Sequence, residues 1–343
     1  MKLRHYVIRR LLLLIPTLLG VTILIFIVLQ AFSPIERAAL YIKDPKQAQD
    51  LAGLIRIHQL DKPIYYQYLY WIRELLSGNL GYSFSAHMPV AAALRHFLPA
   101  SIELILFSAP IIIFLGIRLG VIAAANKDKA ADHIVRVTSI IGWSFPSFWI
   151  GILLLAVFYG QFGLFPPERL GIEASIYVNS ADFVRYTEIN TIDGLLNGEL
   201  WITLDALKHL VLPVLSQTIQ IIALTVRIMR SSMLEALNKG YIITAKAKGI
   251  SGHEVIYKHA RKNALIPVYT VSGFLLAGMI TSMVVTETVF QYQGIGFWAA
   301  ASATQLDIPA VLGFALIVGV VFVVTNLIVD ILYAYVDPRV IYR

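Results

Sequence analysis

Residues that could perform chemistry are sparse in this chain, and their spacing argues against a metal centre. His253, Glu254 and His259 are of the types found in zinc peptidases, where two His residues lie four positions apart on one helical face. Here the two His residues lie six positions apart, so on a helix they would point to different sides. The chain of 343 residues contains no Cys, which excludes disulfides, thiolate metal sites and Cys nucleophiles. We therefore predict no metal site.

Nucleotide and acid–base chemistry also lack their usual residues. No Gly-x4-Gly-Lys-Ser/Thr sequence occurs, and Gly294 and Gly296 are interpreted as a turn rather than a phosphate site. A membrane-embedded enzyme would need acid–base pairs or His–carboxylate clusters at membrane depth, and no such cluster is evident. We predict that the chain is not an enzyme and carries no cofactor. If ATP drives it, the nucleotide binds to another subunit.

The most organised polar segment is AKAKGISGHEVIYKHARKNALIP, residues 245–267. Gly249 predicts a left-handed end to a helix that covers residues 234–248. Ser251, with Glu254 three positions later, has the spacing of a capping box that opens a second helix. The sequence therefore predicts a rigid helix–elbow–helix.

Short side chains make this elbow a candidate docking surface. Thr244, Ala245 and Ala247 precede it, and small residues let another surface approach the helix backbone closely. Ile250 and Val255 occupy the hydrophobic-staple positions around the cap. The simpler alternative is a basic loop that only follows the tendency of Lys and Arg to stay on the cytoplasmic side. The cap, the staple and the small residues together favour a docking element.

Composition predicts that membrane-spanning helices position these residues. Hydrophobic residues make up 58% of the chain and charged residues only 14%, well below the roughly 25% of soluble domains. Stretches of about 20 apolar residues, the length that crosses a bilayer, recur along the chain. The predicted spans are residues 10–32, 99–124, 137–161, 210–229, 265–289 and 308–335. The first is interpreted as uncleaved, because its apolar run is longer than that of a signal peptide.

The distribution of charge predicts that both termini are cytoplasmic. In this orientation most of the 28 Lys and Arg residues fall in the inner segments. The net charge of +7 is then explained by the membrane, without nucleic acid. Loops 33–98 and 162–209 lie outside, and their length suggests small folded caps. We divide the chain into residues 1–98, a first span with an outer loop, and residues 99–343, a five-helix core whose cytoplasmic loop covers 230–264.

The first outer loop contains the signals of a surface helix. Asp61 is predicted as its N-cap, Pro63 lies in its first turn, and Gly78 marks its end. The helix is crowded with aromatic rings: Tyr65, Tyr66, Tyr68, Tyr70 and Trp71. Such rings favour the headgroup level, so we predict that this helix lies along the outer membrane surface.

Four polar side chains within the predicted spans are candidates for lining a pathway. Gln217 and Gln220 lie in the middle of the fourth span and must find partners at that depth, so their helix should face other helices or a wet cavity. Glu103 and Glu287 lie near the outer ends of their spans, where snorkelling or pairing with a neighbouring helix is the favoured role and contact with a peptide amine the sharper option. Pro146 falls within the third span and predicts a kink, with a hinge as the alternative.

Several segments resemble the permease subunits of ABC importers, in particular the dipeptide, oligopeptide and nickel subfamily. TAKAKGISGHEVIYKHARKNALIP (244–267) is similar to the cytoplasmic loop of that family. Other stretches are similar to its membrane part: GWSFPSFWIGILLL (142–155), ETVFQYQGIGFWAAASATQLDIPAVLG (287–313) and NLIVDILYAYVDPRV (326–340). The resemblance covers nearly the whole chain, and residues 165–205 match least.

The resemblance implies an all-α polytopic membrane protein with the six-span fold of type I ABC importer permeases. It also implies that the short helix of the cytoplasmic loop seats in a groove of an ATPase subunit and transmits its motion. The broader family pattern begins Glu-Ala-Ala; here Ile243 and Thr244 replace the first two, so no salt bridge from that Glu is expected. The predicted coupling residues are Thr244, Ala245, Ala247, Lys248, Gly249, Ser251, Glu254, His259, Asn263, Ala264 and Pro267.

The same resemblance implies a function and partners. The chain would form half of a pathway for dipeptides or oligopeptides in the inner (cytoplasmic) membrane. Its partners would be a second related permease in a heterodimer, two cytoplasmic ATP-binding subunits and an extracytoplasmic substrate-binding protein. Oligosaccharides and nickel chelates are alternative cargoes, and Glu103 or Glu287 could contact a peptide amine. A membrane anchor without transport is a more remote alternative, which predicts neither polar helix faces nor a docking elbow.

Overall fold

Long helices carry the fold in the computed structural model, which describes residues 3–38, 41–42 and 50–336. The first is α1 (Leu3–Leu29), which exposes much of its apolar surface, as at Leu12, 61% exposed. A helix that is apolar all round suits the interior of a membrane. Apart from one short hairpin, the regular structure of the described residues is helical, which confirms the all-α prediction for them.

Three short helices follow α1: α2 (Pro34–Ala38), α3 (Leu51–Ile57) and α4 (Ile64–Leu76). The prediction that Asp61 caps α4 is wrong, because the N-cap is Pro63, which makes no side-chain capping bond. One helix earlier, the Asp50 carboxylate caps α3 by accepting a hydrogen bond from the Gly53 N–H at 2.8 Å. Gly78 has a φ of +84°, which confirms the predicted helix end.

The aromatic residues of α4 divide between packing on α1 and exposure. The Tyr68 ring lies 5.2 Å from the Phe26 ring in an edge contact, and its hydroxyl lies 3.0 Å from the Thr22 hydroxyl. The exposed apolar residues of α4 are Ile64, Tyr65, Tyr66, Leu69 and Leu76. An outward apolar face suits a helix at a membrane surface, and its placement there stays a prediction.

A small hairpin leads into the central helix pair. Strands β1 (Tyr82–Ser83) and β2 (Met88–Pro89) pair antiparallel and precede α5 (Val90–Ala125). Helix α5 packs along α10 (Leu200–Leu237). The 38 residues of α10 span roughly 57 Å, well beyond the roughly 30 Å of bilayer hydrocarbon. Both helices therefore extend past the spans predicted for them, and α10 reaches into the flanking loops.

Glycines let α5 and α10 approach closely. A Cβ at Gly116 would lie 2.6 Å from Thr225, and one at Gly120 would lie 2.6 Å from Met229. Lipid tails are as apolar as Leu, so helices in a membrane associate through close packing rather than through the hydrophobic effect. These two glycines therefore position α10 against α5.

The third predicted span, residues 137–161, is not one helix. Helix α6 (Ala130–Ser144) is followed by α7 (Ser147–Leu154), which continues as a π-helix for seven residues. The directions of these two helical segments differ by 102°. Pro146 lies at the break, and Phe145 before it is extended, because a proline ring disfavours helical backbone in the preceding residue. The predicted kink at Pro146 is therefore present as a full break between two helices, while a hinge there stays a prediction.

The segment 162–209 folds into a small unit with its own core. It contains α8 (Ile172–Val178) and α9 (Asn190–Leu196). The buried apolar residues of this unit are Leu170, Ala174, Val178, Phe183, Ile202 and Ala206. The last two belong to α10, so the core joins the loop to the central helix pair. The segment is folded, as predicted, while its placement outside the membrane stays a prediction.

The remaining helices are α11 (Gly240–Ala247), α12 (Gly252–Glu254), a π-helix (Val255–Ala260), α13 (Arg261–Val289), α14 (Ile295–Thr304) and α15 (Ile308–Val336). The helix predicted over 234–248 is interrupted, because α10 ends at Leu237 and α11 begins at Gly240. The helical segment from Gly252 to Val289 bends by 50°.

Four described helices are long and apolar enough to cross a membrane: α1, α5, α10 and α15. The count rises to as many as six if α6 with α7, and α12 with α13, each form one bent span. The six-span arrangement and the cytoplasmic placement of both termini stay predictions. Residues 337–343, which include the end of the predicted family-like segment 326–340, lie outside the described residues.

Candidate coupling site

Helix α11 has one side buried in the protein and the other exposed. Ile242 is fully buried and Ala245 is 7% exposed. Ile243, Thr244 and Ala247 face outwards, and Ile243 is 66% exposed. Of the short residues predicted for docking, Thr244 and Ala247 are therefore accessible to another molecule, whereas Ala245 packs against the chain itself.

A left-handed glycine ends α11 in a Schellman motif. Gly249 has a φ of +78°, and its N–H donates to the Lys246 carbonyl at 3.0 Å. The Ile250 N–H donates to the Ala245 carbonyl at 3.3 Å, which completes the pair of hydrogen bonds typical of this helix end. No atom lies within 4 Å of a Cβ built on Gly249, so backbone conformation rather than space requires glycine. The predicted left-handed stop is confirmed.

Ser251 caps the next helix, as predicted. Its hydroxyl accepts a hydrogen bond from the Glu254 N–H at 3.3 Å. The Glu254 carboxylate lies 3.9 Å from Lys258 Nζ on the exposed surface, so among the described residues the capping box is closed from one side only. Val255 is 1% exposed and packs in one apolar cluster with Ile250, which confirms the staple.

The elbow rests on a buried apolar cluster to which long helices contribute. Its members are Val121 and Ala124 of α5, Met229, Met233 and Ala236 of α10, Ile242 and Ala245 of α11, and Val255, Ala260, Ala264 and Val268 on the way into α13. Protein interiors are close-packed, so their side chains do not shift independently. Packing in this cluster joins α11 to α5, α10 and α13.

The other predicted coupling residues around the elbow differ in burial, from exposed side chains to members of the buried cluster. Lys248 is exposed at the C-cap of α11, and Ala264 is buried in the cluster below it. The Asn263 side chain donates to the His259 carbonyl at 3.3 Å, so it braces its own helix. Pro267 lies exposed inside α13. Among the described residues, no three His, Cys, Asp or Glu side chains converge as a metal site requires.

Glu287 is buried at the C-terminal end of α13. Its carboxylate accepts hydrogen bonds from the Ser101 hydroxyl at 2.5 Å and from the Gly296 and Phe297 N–H groups at 2.8 and 2.9 Å. The N-terminus of α14 favours a negative charge there. A Cβ on Gly294 would lie 2.4 Å from the carboxylate. The glycine turn before α14 therefore makes room for Glu287.

Glu103 of α5 lies at the centre of a second buried network. Its carboxylate accepts from Arg169 Nη2 at 3.0 Å and from the Tyr292 hydroxyl at 2.9 Å. The Thr191 N–H donates to it at 2.8 Å. Burial lowers the pKa of Arg169, but the adjacent Tyr292 and Glu103 outweigh burial and raise that pKa above its usual value. The network fastens the segment 162–209 to α5 and to the turn after α13.

Both carboxylates are thus fully engaged within the chain, Glu103 at 1% exposure and Glu287 at 0%. This geometry corresponds to the favoured prediction of pairing with neighbouring elements, and not to snorkelling. Arg169 and Thr191 were missed by sequence reasoning. A buried carboxylate at membrane depth signals that a partner exists, but nothing local indicates which residue it is.

The two glutamines of α10 differ in their surroundings. Gln217 is fully buried and donates to the Thr286 hydroxyl of α13 at 3.0 Å. The Ser282 hydroxyl donates to the Gln217 side-chain oxygen at 3.4 Å. Gln220, one turn further on, is half-buried. The prediction that Gln217 faces another helix is confirmed, while a role in lining a pathway stays a prediction for both.

Comparison with known proteins places the chain among transport permeases. Residues 116–342 match the family described as "Binding-protein-dependent transport system inner membrane component". The probable D,D-dipeptide transport system permease protein DdpB of Escherichia coli (strain K12) is 38% identical over 281 residues, 82% of this chain and 81% of the relative. The oligopeptide transport system permease protein AppB of Bacillus subtilis (strain 168) is 36% identical over 342 residues, 98% of this chain and 99% of the relative. The dipeptide transport system permease protein DppB of Alkalihalophilus pseudofirmus is 34% identical over 338 residues, 98% of this chain and 99% of the relative.

Proposed function

Because the chain belongs to the family of binding-protein-dependent transport system inner membrane components, we propose that it forms half of the translocation pathway of an ATP-driven peptide importer. As a member of this family, the chain is a membrane permease and not an enzyme. Peptide cargo is supported by relatives named for dipeptide, D,D-dipeptide and oligopeptide transport. Oligosaccharides and nickel chelates remain alternative cargoes for the same architecture.

The observation that carries this proposal is the elbow of α11. It offers an exposed surface of Ile243, Thr244 and Ala247, and its buried side joins the apolar cluster below. The Schellman end at Gly249 and the cap at Ser251 hold it at a set angle to the next helix. A surface that is exposed yet rigidly braced suits a partner that applies force.

Two ATP-binding subunits on the cytoplasmic side are the proposed source of that force. When they close on ATP, each pulls on the elbow of one permease, and the apolar cluster carries the displacement into α5, α10 and α13. The pathway between two related permeases then turns from inward-facing to outward-facing and accepts cargo from an extracytoplasmic binding protein. Such coupling requires a two-state element that both sites bias. ATP hydrolysis belongs to the partners.

Six spans with both termini cytoplasmic complete the proposal, in the inner membrane. The break at Pro146 then lies within the third span and the bend in α13 within the fifth. Gln220 is a proposed lining residue of the pathway, and Gln217, fully buried against α13 in this arrangement, would line it only where α10 and α13 separate. Glu103 and Glu287 would instead hold the outer cap and the turn before α14 in place. An anchor subunit would need neither the elbow nor the buried Gln217.

Copurification tests the proposal directly. The chain is tagged within its native operon and purified in mild detergent, and its associated subunits and their ATPase activity are identified. We expect a second permease and two ATPases. Recovery of the chain alone, under conditions that keep a control transporter intact, would favour the anchor. The operon's binding protein, loaded with dipeptides, oligosaccharides or a nickel chelate in turn, identifies the cargo by stimulation of the ATPase.

A further inference from the structure

A cavity of about 490 Å³ lies between α6 and α10, apart from the elbow and from the two buried carboxylates. Its volume falls within the roughly 300–1,000 Å³ of small-molecule sites. The two helices meet on either side of it. Asp132 pairs with Arg230 near the start of α6, and a Cβ on Gly142 would lie 2.6 Å from the Ile219 carbonyl near its end. Contacts at both ends make the cavity a fixed feature of this helix pair.

One end of the cavity is basic and only partly neutralised. Arg136, Arg227 and Arg230 line it. The fully buried Asp132 accepts two hydrogen bonds from Arg230, at 2.7 and 2.6 Å. Arg136 and Arg227 are exposed and make no hydrogen bond or ion pair with the described part of the chain. The three guanidinium groups outnumber the two carboxylates near them, Asp132 and Asp128, which favours an anionic ligand, and the planar guanidinium is well matched to phosphate oxygens.

The other end of the cavity is apolar and opens onto an apolar surface. Ile140 and Trp143 line it and are 60% and 55% exposed, and Ala223 covers it from α10. The exposed surface of α6 continues with Ile134, Val137 and Ile141. Trp143 follows Arg136 by seven residues, which is roughly 10 Å along the helix. A matching ligand has an anionic group joined to a long apolar part.

We propose that this cavity binds an anionic phospholipid, with its phosphate at Arg136 and Arg227 and an acyl chain along Ile140 and Trp143. In the proposed orientation the basic end lies at the cytoplasmic headgroup level, where basic pockets between helices bind acidic lipids. Trp143 lies deeper, towards the acyl chains. The proposal rests on the membrane orientation given above and is independent of ATP-driven transport and of the cargo.

The lipid ties α6 to α10, the helix that leads into the elbow. Arg230 precedes Gly240, the first residue of α11, by ten positions on the helix that leads into it. Occupancy therefore holds the two helices that flank the cavity in one arrangement.

A local probe measures binding without ATP or partner subunits. The chain has no Cys, so Ser231→Cys, at the rim of the cavity, gives a single site for a fluorescent label. The full-length chain is placed in phosphatidylcholine nanodiscs with increasing amounts of phosphatidylglycerol that carries brominated acyl chains. We expect quenching that saturates with phosphatidylglycerol and exceeds that of brominated phosphatidylcholine.

Charge variants test the assignment. Basic residues near an anionic lipid are each worth about fivefold in binding, so Arg136→Gln with Arg227→Gln should weaken apparent affinity about thirtyfold. Arg136→Lys with Arg227→Lys, which keeps the charges, should stay within a few fold of the parent chain. The matched control, Lys258→Gln with Lys262→Gln, removes the same charge from the exposed surface beyond the elbow and should change little.

Two outcomes would overturn the proposal. Equal quenching in the parent chain and in the double Gln variant would show that the arginines hold no lipid. Displacement of the brominated lipid by a soluble dipeptide would assign the cavity to the cargo pathway instead. If the double Gln variant does not insert, Arg227→Gln alone is titrated, with an expected loss of about fivefold. Absence of copurifying ATPases would leave these readouts unchanged, so failure of the transport proposal is distinguishable.

Discussion

The backbone of Gly249 offers a graded test of the elbow. Its φ of +78° suits glycine, and a Cβ there would meet no atom within 4 Å, so a substitution perturbs backbone conformation alone. Left-handed backbone costs about 1–2 kcal/mol in an ordinary residue and less in Asn. Gly249→Ala should therefore depopulate the native elbow about fivefold to thirtyfold relative to other geometries. Gly249→Asn should depopulate the native elbow less than Gly249→Ala does.

Gly249→Pro is the severest member of the series. The proline ring holds φ near −65°, which is incompatible with the native conformation, and it removes the N–H that donates to the Lys246 carbonyl. The expected cost at the elbow is about 3 kcal/mol or more. Because the elbow lies outside the long helices, membrane insertion should remain intact while communication with the partners is lost.

The assay is substrate-stimulated ATP hydrolysis and peptide uptake by the purified complex in proteoliposomes. We expect coupling to fall in the order Gly, Asn, Ala, Pro at position 249, with unstimulated hydrolysis retained. Gly240→Ala is the matched control, because a Cβ on Gly240 also meets open space and its φ is not positive. Normal stimulation in Gly249→Pro, or an equal loss in Gly240→Ala, would refute the reasoning.

Three further substitutions test the buried polar groups. Arg169→Ala removes a partner of the fully buried Glu103, so we expect about 3–5 kcal/mol of destabilisation, seen as a lower thermal unfolding temperature in detergent. Gly294→Ala drives a methyl group into the Glu287 carboxylate and should destabilise by about 1–3 kcal/mol in the same measurement. Gln217→Leu should cost only about 0.6–1.7 kcal/mol of stability but reduce peptide uptake strongly if the side chain lines the pathway.

Matched variants separate these specific effects from nonspecific destabilisation of the fold. Arg169→Lys keeps a charge beside Glu103 and should retain more stability than Arg169→Ala; equal losses would contradict the ion-pair explanation. Gly278→Ala meets open space inside α13 and should be tolerated, in contrast to Gly294→Ala. Unchanged uptake in Gln217→Leu would restrict that residue to helix packing.

Local signals explain why the elbow could be predicted from the sequence. The end at Gly249 and the cap from Ser251 to Glu254 involve groups within a few residues of one another, so their chemistry is readable in order along the chain. The apolar stretches were readable for the same reason, since a span depends on the composition of one segment. Helix ends were less accurate: tertiary packing extends α10 to 38 residues, and Asp61 does not cap α4.

Long-range pairing was decided by the tertiary structure. Arg169 reaches Glu103 across 66 residues, and Arg230 reaches Asp132 across 98. In a membrane, the side of a helix that faces lipid and the side that faces another helix are both apolar, so hydrophobic patterning does not specify which helices touch. The 102° break at Pro146 likewise depends on what packs around it, because a proline in a span can kink or end a helix. The sequence by itself thus determined the membrane class, the family resemblance and the elbow, while only the packing of the helices decided the buried ion pairs and the cavity between α6 and α10.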